Sequence, residues 1–152
     1  MINCNKDDFL KNACIIIDNE IPLMANLSNL SRLIYESFPN TSWAGFYLVE
    51  SDKSRLFLGP FQGSMACTII PFGKGVCGQA ILQMGTQLVP NVHNYPGHIA
   101  CSSKTNSEIV VPIIKDGIRC GVIDLDSDIL NNYSIEDVII LEELATIISK
   151  LF

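Results

Sequence analysis

The sequence predicts an α+β fold, a central antiparallel sheet with N- and C-terminal helices packed on one face. Three observations predict it. Residues 41–58 and 107–126 are dense in aromatic and β-branched residues, and each is broken once by a short turn signal, the pattern of a hairpin. Apolar residues recur at helical spacing before Pro39 and again after Ser134. No repeat, low-complexity tract or linker interrupts the 152 residues, so one domain spans 1–152, helical over 1–40 and carrying the sheet, the long loops and the closing helix over 41–152.

Composition narrows the function classes. The chain is 48% hydrophobic and 17% charged, enough to bury a full core. A net charge of −6 with scattered Lys and Arg excludes a nucleic-acid partner, which needs a basic face. No apolar run reaches the ~18 residues of a membrane span, and MINCNKDDF lacks a basic segment followed by an apolar one. A cytoplasmic protein away from membranes is expected, with its six cysteines reduced. They form no C-x-x-C pair and fit no zinc spacing, so no metal site is expected.

In chain order, Lys6 to Glu20 sets Phe9, Leu10, Ala13, Ile16 and Ile17 on a helical stripe, with Asp7 and Asp8 at the end the helix dipole favours. Cys4 and Cys14 read as surface and core thiols. A second helix, Leu23 to Phe38, buries Leu27, Leu30, Leu33 and Ile34 and stops at Pro39-Asn40. Thr41 to Glu50 is a strand with Trp43, Gly45, Tyr47 and Val49 on one face. Gly45 leaves open space there, which suggests a pocket wall. After a Ser51-Asp52-Lys53 turn, Arg55 to Leu58 completes an antiparallel hairpin. Gly59 to Gly63 reads as a turn and Ala66 to Pro71 as a short strand containing Cys67. Phe72 to Gly75 is a glycine-rich link, without P-loop spacing, into a helix from Val76 to Gly85. Cys77 lies in that helix's first turn, where free N–H groups lower a thiol pKa.

The stretch LVPNVHNYPGHIAC, Leu88 to Cys101, is a short strand signal followed by a loop of about a dozen residues, a length that is usually functional. With Cys67 and Cys77 just ahead of it, Cys101 completes a set of three thiols expected to be the working parts of a small pocket. His93 and His98 stay outside the candidate set, since loop histidines are more often structural or solvent-facing.

Ser107 to Ile114 and Ile118 to Asp126 flank Lys115-Asp116-Gly117. A two-residue Asp-Gly turn pairs Ile114 with Arg119 and sets Glu108 and Asp124 on opposite faces. A three-residue loop pairs Ile114 with Ile118 and Glu108 with Asp124. The second register is preferred because it gathers Glu108, Asp124 and Asp126 on one face, continued by Val110, Cys120 and Val122. Carboxylates at the end of so apolar a face point to a site rather than to solvent contact. Ser134 caps a closing helix with Glu136 and Asp137 in its first turn, and Val138, Leu141, Leu144, Ala145 and Ile148 face the sheet.

The blocks SWAGFYLV, LGPFQGSMACT, IPFGKGVCG, NVHNYPGHIACSS, SEIVVPI and GVIDLDSD, in this order from Ser42 onward, resemble the free methionine-(R)-sulfoxide reductases, enzymes built on a GAF domain. The resemblance implies reduction of the R epimer of free methionine sulfoxide by thiols, without bound metal or organic cofactor, and recycling by thioredoxin. By position it implies that Cys101 is the attacking thiol, Cys67 the main resolving partner and Cys77 a further thiol that assists. Trp43 and Tyr47 then correspond to pocket aromatics, and Glu108, Asp124 and Asp126 to the acidic group. The helix position alone favours Cys77 as nucleophile; the resemblance moves that role to Cys101. A homodimer suits the fold class. The rival reading is a GAF-type module that binds a small molecule, or senses redox state, without turnover.

Overall fold

The computed structural model describes residues 5–50 and 54–152. Cys4 and the Ser51-Asp52-Lys53 turn lie outside them.

Helix α1, Lys6–Ile16, begins at an Asn5 cap whose side chain accepts from the Asp7 N–H, and buries Phe9, Leu10 and Ala13. It stops four residues before the expected Glu20. The reason is Asn26, 1% exposed, whose side-chain amide accepts from Asp18 N at 2.9 Å and donates to Asp18 O at 2.8 Å, turning the chain there. Cys14 is exposed rather than part of the core. Helix α2, Leu23–Ser37, buries Leu27, Leu30 and Ile34 as the periodicity requires.

Strands β1 (Thr41–Val49), β2 (Arg55–Gln62), β3 (Ile69–Pro71), β4 (Gln87–Val89), β5 (Ser107–Lys115) and β6 (Ile118–Ser127) form one antiparallel sheet in the order β3-β2-β1-β6-β5-β4. Helices α1, α2 and α4 (Ile135–Ser149) cover one face around Phe9, Leu30, Phe46, Ile123 and Leu144. Ser134 and Asp137 close a capping box at the start of α4. Helix α3 (Gly75–Gln83) lies across the other face, packed with Trp43, Tyr47, Leu56, Val110 and Val122. The Arg119 guanidinium fastens its far end, donating to Ile81 O at 2.7 Å and Leu82 O at 2.8 Å.

Three local expectations are corrected. Gly59 to Gly63 is not a turn: β2 runs on to Gln62, and a bulge between Gly45 and Tyr47 absorbs the Gly59-Pro60 step, where Pro has no N–H for the ladder. Cys67 precedes β3 instead of lying within a strand. The β5–β6 connection is the two-residue turn, with Asp116 and Gly117 both at positive φ (51° and 77°) and Ile114 paired with Arg119.

A bulge between Ile113 and Ile114 then shifts the β5–β6 register by one residue, so that Ile113 faces Gly121 and Glu108 faces Asp126. Cys120 is the extra residue; it turns into the helix-side core and leaves the Val110–Val122 face on which it was expected. The three carboxylates do share a face, but through pairs two residues from those expected: Glu108 with Asp126, and Val110 with Asp124.

The space over Gly45 is filled. A Cβ built there would meet the Trp43 indole at 2.8 Å and crowd Phe61, so glycine lets Trp43 lie across the strand. Gly45→Ala should destabilise the protein by about 1–3 kcal/mol, as overpacking does, and shift the emission of the only tryptophan. Urea unfolding followed by fluorescence measures both.

Candidate active site

The sheet face beneath α3 carries the site in two rows. Trp43, Asp126 and Glu108 are consecutive partners across β1, β6 and β5, and Gly45, Asp124 and Val110 form the next row. The side chains lie where the pleat and the bulges, including one between Thr41 and Trp43 in the β1–β6 ladder, put them. Above them a cavity of about 230 Å³ opens, walled by Trp43, Tyr47, Ile70 and Val76 and floored by Glu108, Asp124 and Asp126. Cys77 and Cys101 also line it.

Trp43 and Tyr47 stack with ring centroids 5.8 Å apart, and Phe61 stacks with Trp43 at 5.3 Å. They make one rigid apolar wall.

At the mouth, Cys67 and Cys101 form a disulfide that bridges 34 residues with Cα atoms 5.6 Å apart. Cys101 is exposed and Cys67 half-buried, so the bond lies within reach of solvent. Cys77 is a free thiol, 4% exposed.

On the floor, the Cys77 sulfur and one oxygen each from Glu108 and Asp124 lie within 4.8 Å of one another. Glu108 and Asp124 are 6% and 5% exposed, too dry for free carboxylates. Burial, reinforced by the charge of Asp126, pushes the Glu108 pKa well above the carboxylate range. Burial and then Glu108 do the same to Asp124, and burial and then Asp124 to Asp126. The result is a carboxylic acid store that keeps a proton where exposed acids have lost theirs. Asp124 Oδ1 is sealed from solvent, with no hydrogen-bond partner among the described residues.

The expected activation of Cys77 is reversed. Burial first, then the charges of Asp124 and Glu108, raise its pKa.

Sequence reasoning also passed over His98. Its Nε2 lies 3.5 Å from Glu108 Oε2 and its ring lines the cavity, while burial lowers its pKa. The spacing His98-Ile99-Ala100-Cys101 was the available signal, since it carries the imidazole inward on the segment that presents Cys101. His93 is structural, with Nε2 2.8 Å from Asn106 Oδ1.

A six-stranded antiparallel sheet with this helical cover, enclosing a small pocket, defines a GAF domain, and the GAF domain family matches the chain over residues 25–152. The chain is 45% identical to the free methionine-R-sulfoxide reductase of Saccharomyces cerevisiae, over 97% of its own length and 88% of the relative's. It is 44% identical to that of Escherichia coli, over 80% and 73%. The Neisseria meningitidis free methionine-R-sulfoxide reductase in complex with its substrate superposes with a TM-score of 0.88 at 44% identity, covering 95% of this chain and 85% of that one. The reduced form of the Staphylococcus aureus fRMsr superposes with a TM-score of 0.91 at 44% identity, covering 99% and 97%. The chain belongs to the free methionine-R-sulfoxide reductase family of GAF domains.

The acidic floor has a consequence for stability. A carboxyl whose folded pKa lies above its unfolded one stabilises the fold below the unfolded value, and that contribution is lost as pH rises through the folded value. Asp124→Asn removes the charge without changing the shape. Its melting temperature should equal the wild type's near pH ~4 and exceed it increasingly toward pH ~8. Thermal unfolding across that range checks the sign.

Proposed function

We propose that this chain reduces free L-methionine-(R)-sulfoxide to L-methionine, and that Cys101, Cys67 and the acidic floor carry the reaction. The observation behind this reading is the Cys67–Cys101 pair at the mouth of a pocket floored by buried carboxyls. A sulfoxide sulfur accepts a thiolate when its oxygen receives a proton, so the chemistry needs a nucleophile above and an acid below.

Cys101 attacks the sulfur while the Glu108–Asp124 pair, which titrates as a unit, protonates the oxygen. Methionine leaves with its sulfur reduced, and Cys101 keeps the oxygen as a sulfenic acid. The Cys67 thiol then forms the S–S bond, and the oxygen departs as water with the thiol's proton. Cys77, kept protonated beside Asp124, is the slower second partner for the sulfenic acid. Thioredoxin, at about −270 mV, supplies the two electrons that reopen the disulfide in the cytoplasm, acting at exposed Cys101. No helix among the described residues is long and apolar enough to cross a membrane.

Specificity follows from the same pocket. Asp126, half-buried, and Asp124, which also lines the cavity, offer charge-assisted hydrogen bonds to the ammonium of a free amino acid. A peptide-bonded residue has no ammonium and brings chain that the pocket has no room for. Trp43 and Tyr47 enclose the S-methyl group and set the epimer.

Cys101→Ser should abolish turnover, and Cys67→Ser should release one methionine per chain and then cycle slowly with thioredoxin. Coupled NADPH consumption and quenched single-turnover assays measure the two. Binding of the sulfoxide without methionine release would favour the sensor reading. The N-acetylated sulfoxide should lose at least about 100-fold in kcat/KM, as an unmatched buried charge pair does. For the wild type, kcat/KM should fall on the alkaline side as the shared proton is lost, and Glu108→Gln should flatten that limb. An unaltered alkaline limb in the variant would remove Glu108 from proton donation.

A further inference from the structure

The resolving cysteine sits in an irregular segment, residues 63–68 between β2 and β3, in which Ser64 is exposed and Met65 is 91% exposed. The disulfide fixes this segment only while it is closed. In the reduced protein something else must keep Cys67 within the ~4.4–6.8 Å Cα separation that a disulfide allows.

Two side-chain donors reach this segment, and both come from the pocket wall. The Tyr47 hydroxyl donates to the backbone carbonyl of Cys67 at 2.9 Å, and the Trp43 indole N–H donates to the carbonyl of Ser64 at 3.1 Å. Both rings are anchored, at 2% and 5% exposure, four residues apart on the same face of β1. At the far end of the segment, Leu58 N donates to Thr68 O at 3.0 Å. Gly63 lies against the indole: a Cβ there would approach Trp43 Cδ1 to 2.9 Å, and φ is +117°, so the segment is seated on the ring. Burial raises the Tyr47 pKa, so its hydroxyl stays a donor at any physiological pH.

We propose that Tyr47 and Trp43 are positioning residues for the second chemical step: their polar hydrogens hold the Cys67 segment over the pocket, ready to resolve the sulfenic acid on Cys101. The proposal rests on the thiol roles given above and adds a second task to residues already assigned to the wall. In the step concerned, the Cys101 S–O bond breaks as the S–S bond to Cys67 forms. The Cys101 sulfur is reduced, the Cys67 sulfur is oxidised, and water carries off the oxygen. The same two rings thus couple an occupied pocket to a resolving thiol that is already in place.

Tyr47→Phe keeps the ring and removes the hydroxyl; Trp43→Phe removes the indole donor. Each reduced variant is mixed with one equivalent of free methionine-(R)-sulfoxide without reductant and quenched at intervals with a 1,3-diketone that traps sulfenic acid. Methionine, the Cys101 adduct and the Cys67–Cys101 disulfide are measured in the same samples. In Tyr47→Phe the disulfide should form about tenfold more slowly than in the wild type, with a transient Cys101 adduct that the wild type does not accumulate. Trp43→Phe should move the same way, which keeps the test open if one variant folds poorly. Disulfide formation within twofold of wild type in both variants would overturn the proposal. Because both rings also wall the pocket, methionine release in the same samples is the reference: release and disulfide formation slowed in equal proportion, with no Cys101 adduct, would place these donors in substrate capture and overturn the proposal as well. If wild-type protein releases methionine without modification of Cys101, the thiol assignment fails instead, a distinguishable result.

Discussion

The register between β5 and β6 is the constraint on which the site depends. A two-residue turn at Asp116-Gly117, followed without interruption, would leave Glu108 and Asp124 on opposite faces of the sheet. One extra residue, Cys120, corrects this. The bulge turns Cys120 into the helix-side core and brings Glu108, Asp124 and Asp126 together on the face beneath α3. Bulges near sites commonly re-aim side chains, and here the re-aimed set is the whole acidic floor.

The rest of the fold makes that floor tolerable and useful. Three carboxyls in a dry pocket are held toward their neutral forms, which opposes stability at neutral pH and stores a proton for transfer. The large apolar core on the other face, from Phe9 and Leu30 through Phe46 to Leu144, supplies the stability that such a site consumes. The redox pair is placed differently. It lies on two irregular segments at the mouth, where one sulfur is exposed, as exchange with an external thiol requires. A buried acid and an accessible disulfide need opposite environments, and a pocket with a strand-built floor and an irregular, exposed rim provides both.

Much of this was legible in the chain. Period-two alternation identified the face of Trp43 and Tyr47, helical spacing identified the stripes of α1, α2 and α4, and Ser134 announced its cap. The grouping of Glu108 with Asp124 and Asp126 was also legible, although for a wrong reason: the pattern demanded a shared face, and a longer turn was invoked where the structure uses a bulge. Bulges leave little local signal, because the extra residue is an ordinary one such as Cys120. Long-range effects were less legible still. Asn26 ends α1 through a contact across the helix–helix link, the space over Gly45 is filled by a ring two residues away, and the Cys77 thiol is governed by burial and then by carboxyls from β5 and β6. The family resemblance, by contrast, named Cys67 and Cys101 as partners, and the structure joins them.

The central claim is that one turnover couples the loss of a sulfoxide oxygen to closure of the mouth. A stoichiometric titration of the fully reduced chain, under anaerobic conditions and without recycling reductant, tests it most directly. Each equivalent of the R epimer should yield one methionine, reduce the free thiols from six to four and leave a single Cys67–Cys101 crosslink in the peptide map, while the S epimer yields neither product nor crosslink. Methionine formed without loss of two thiols, or a crosslink that joins other cysteines, would contradict the account.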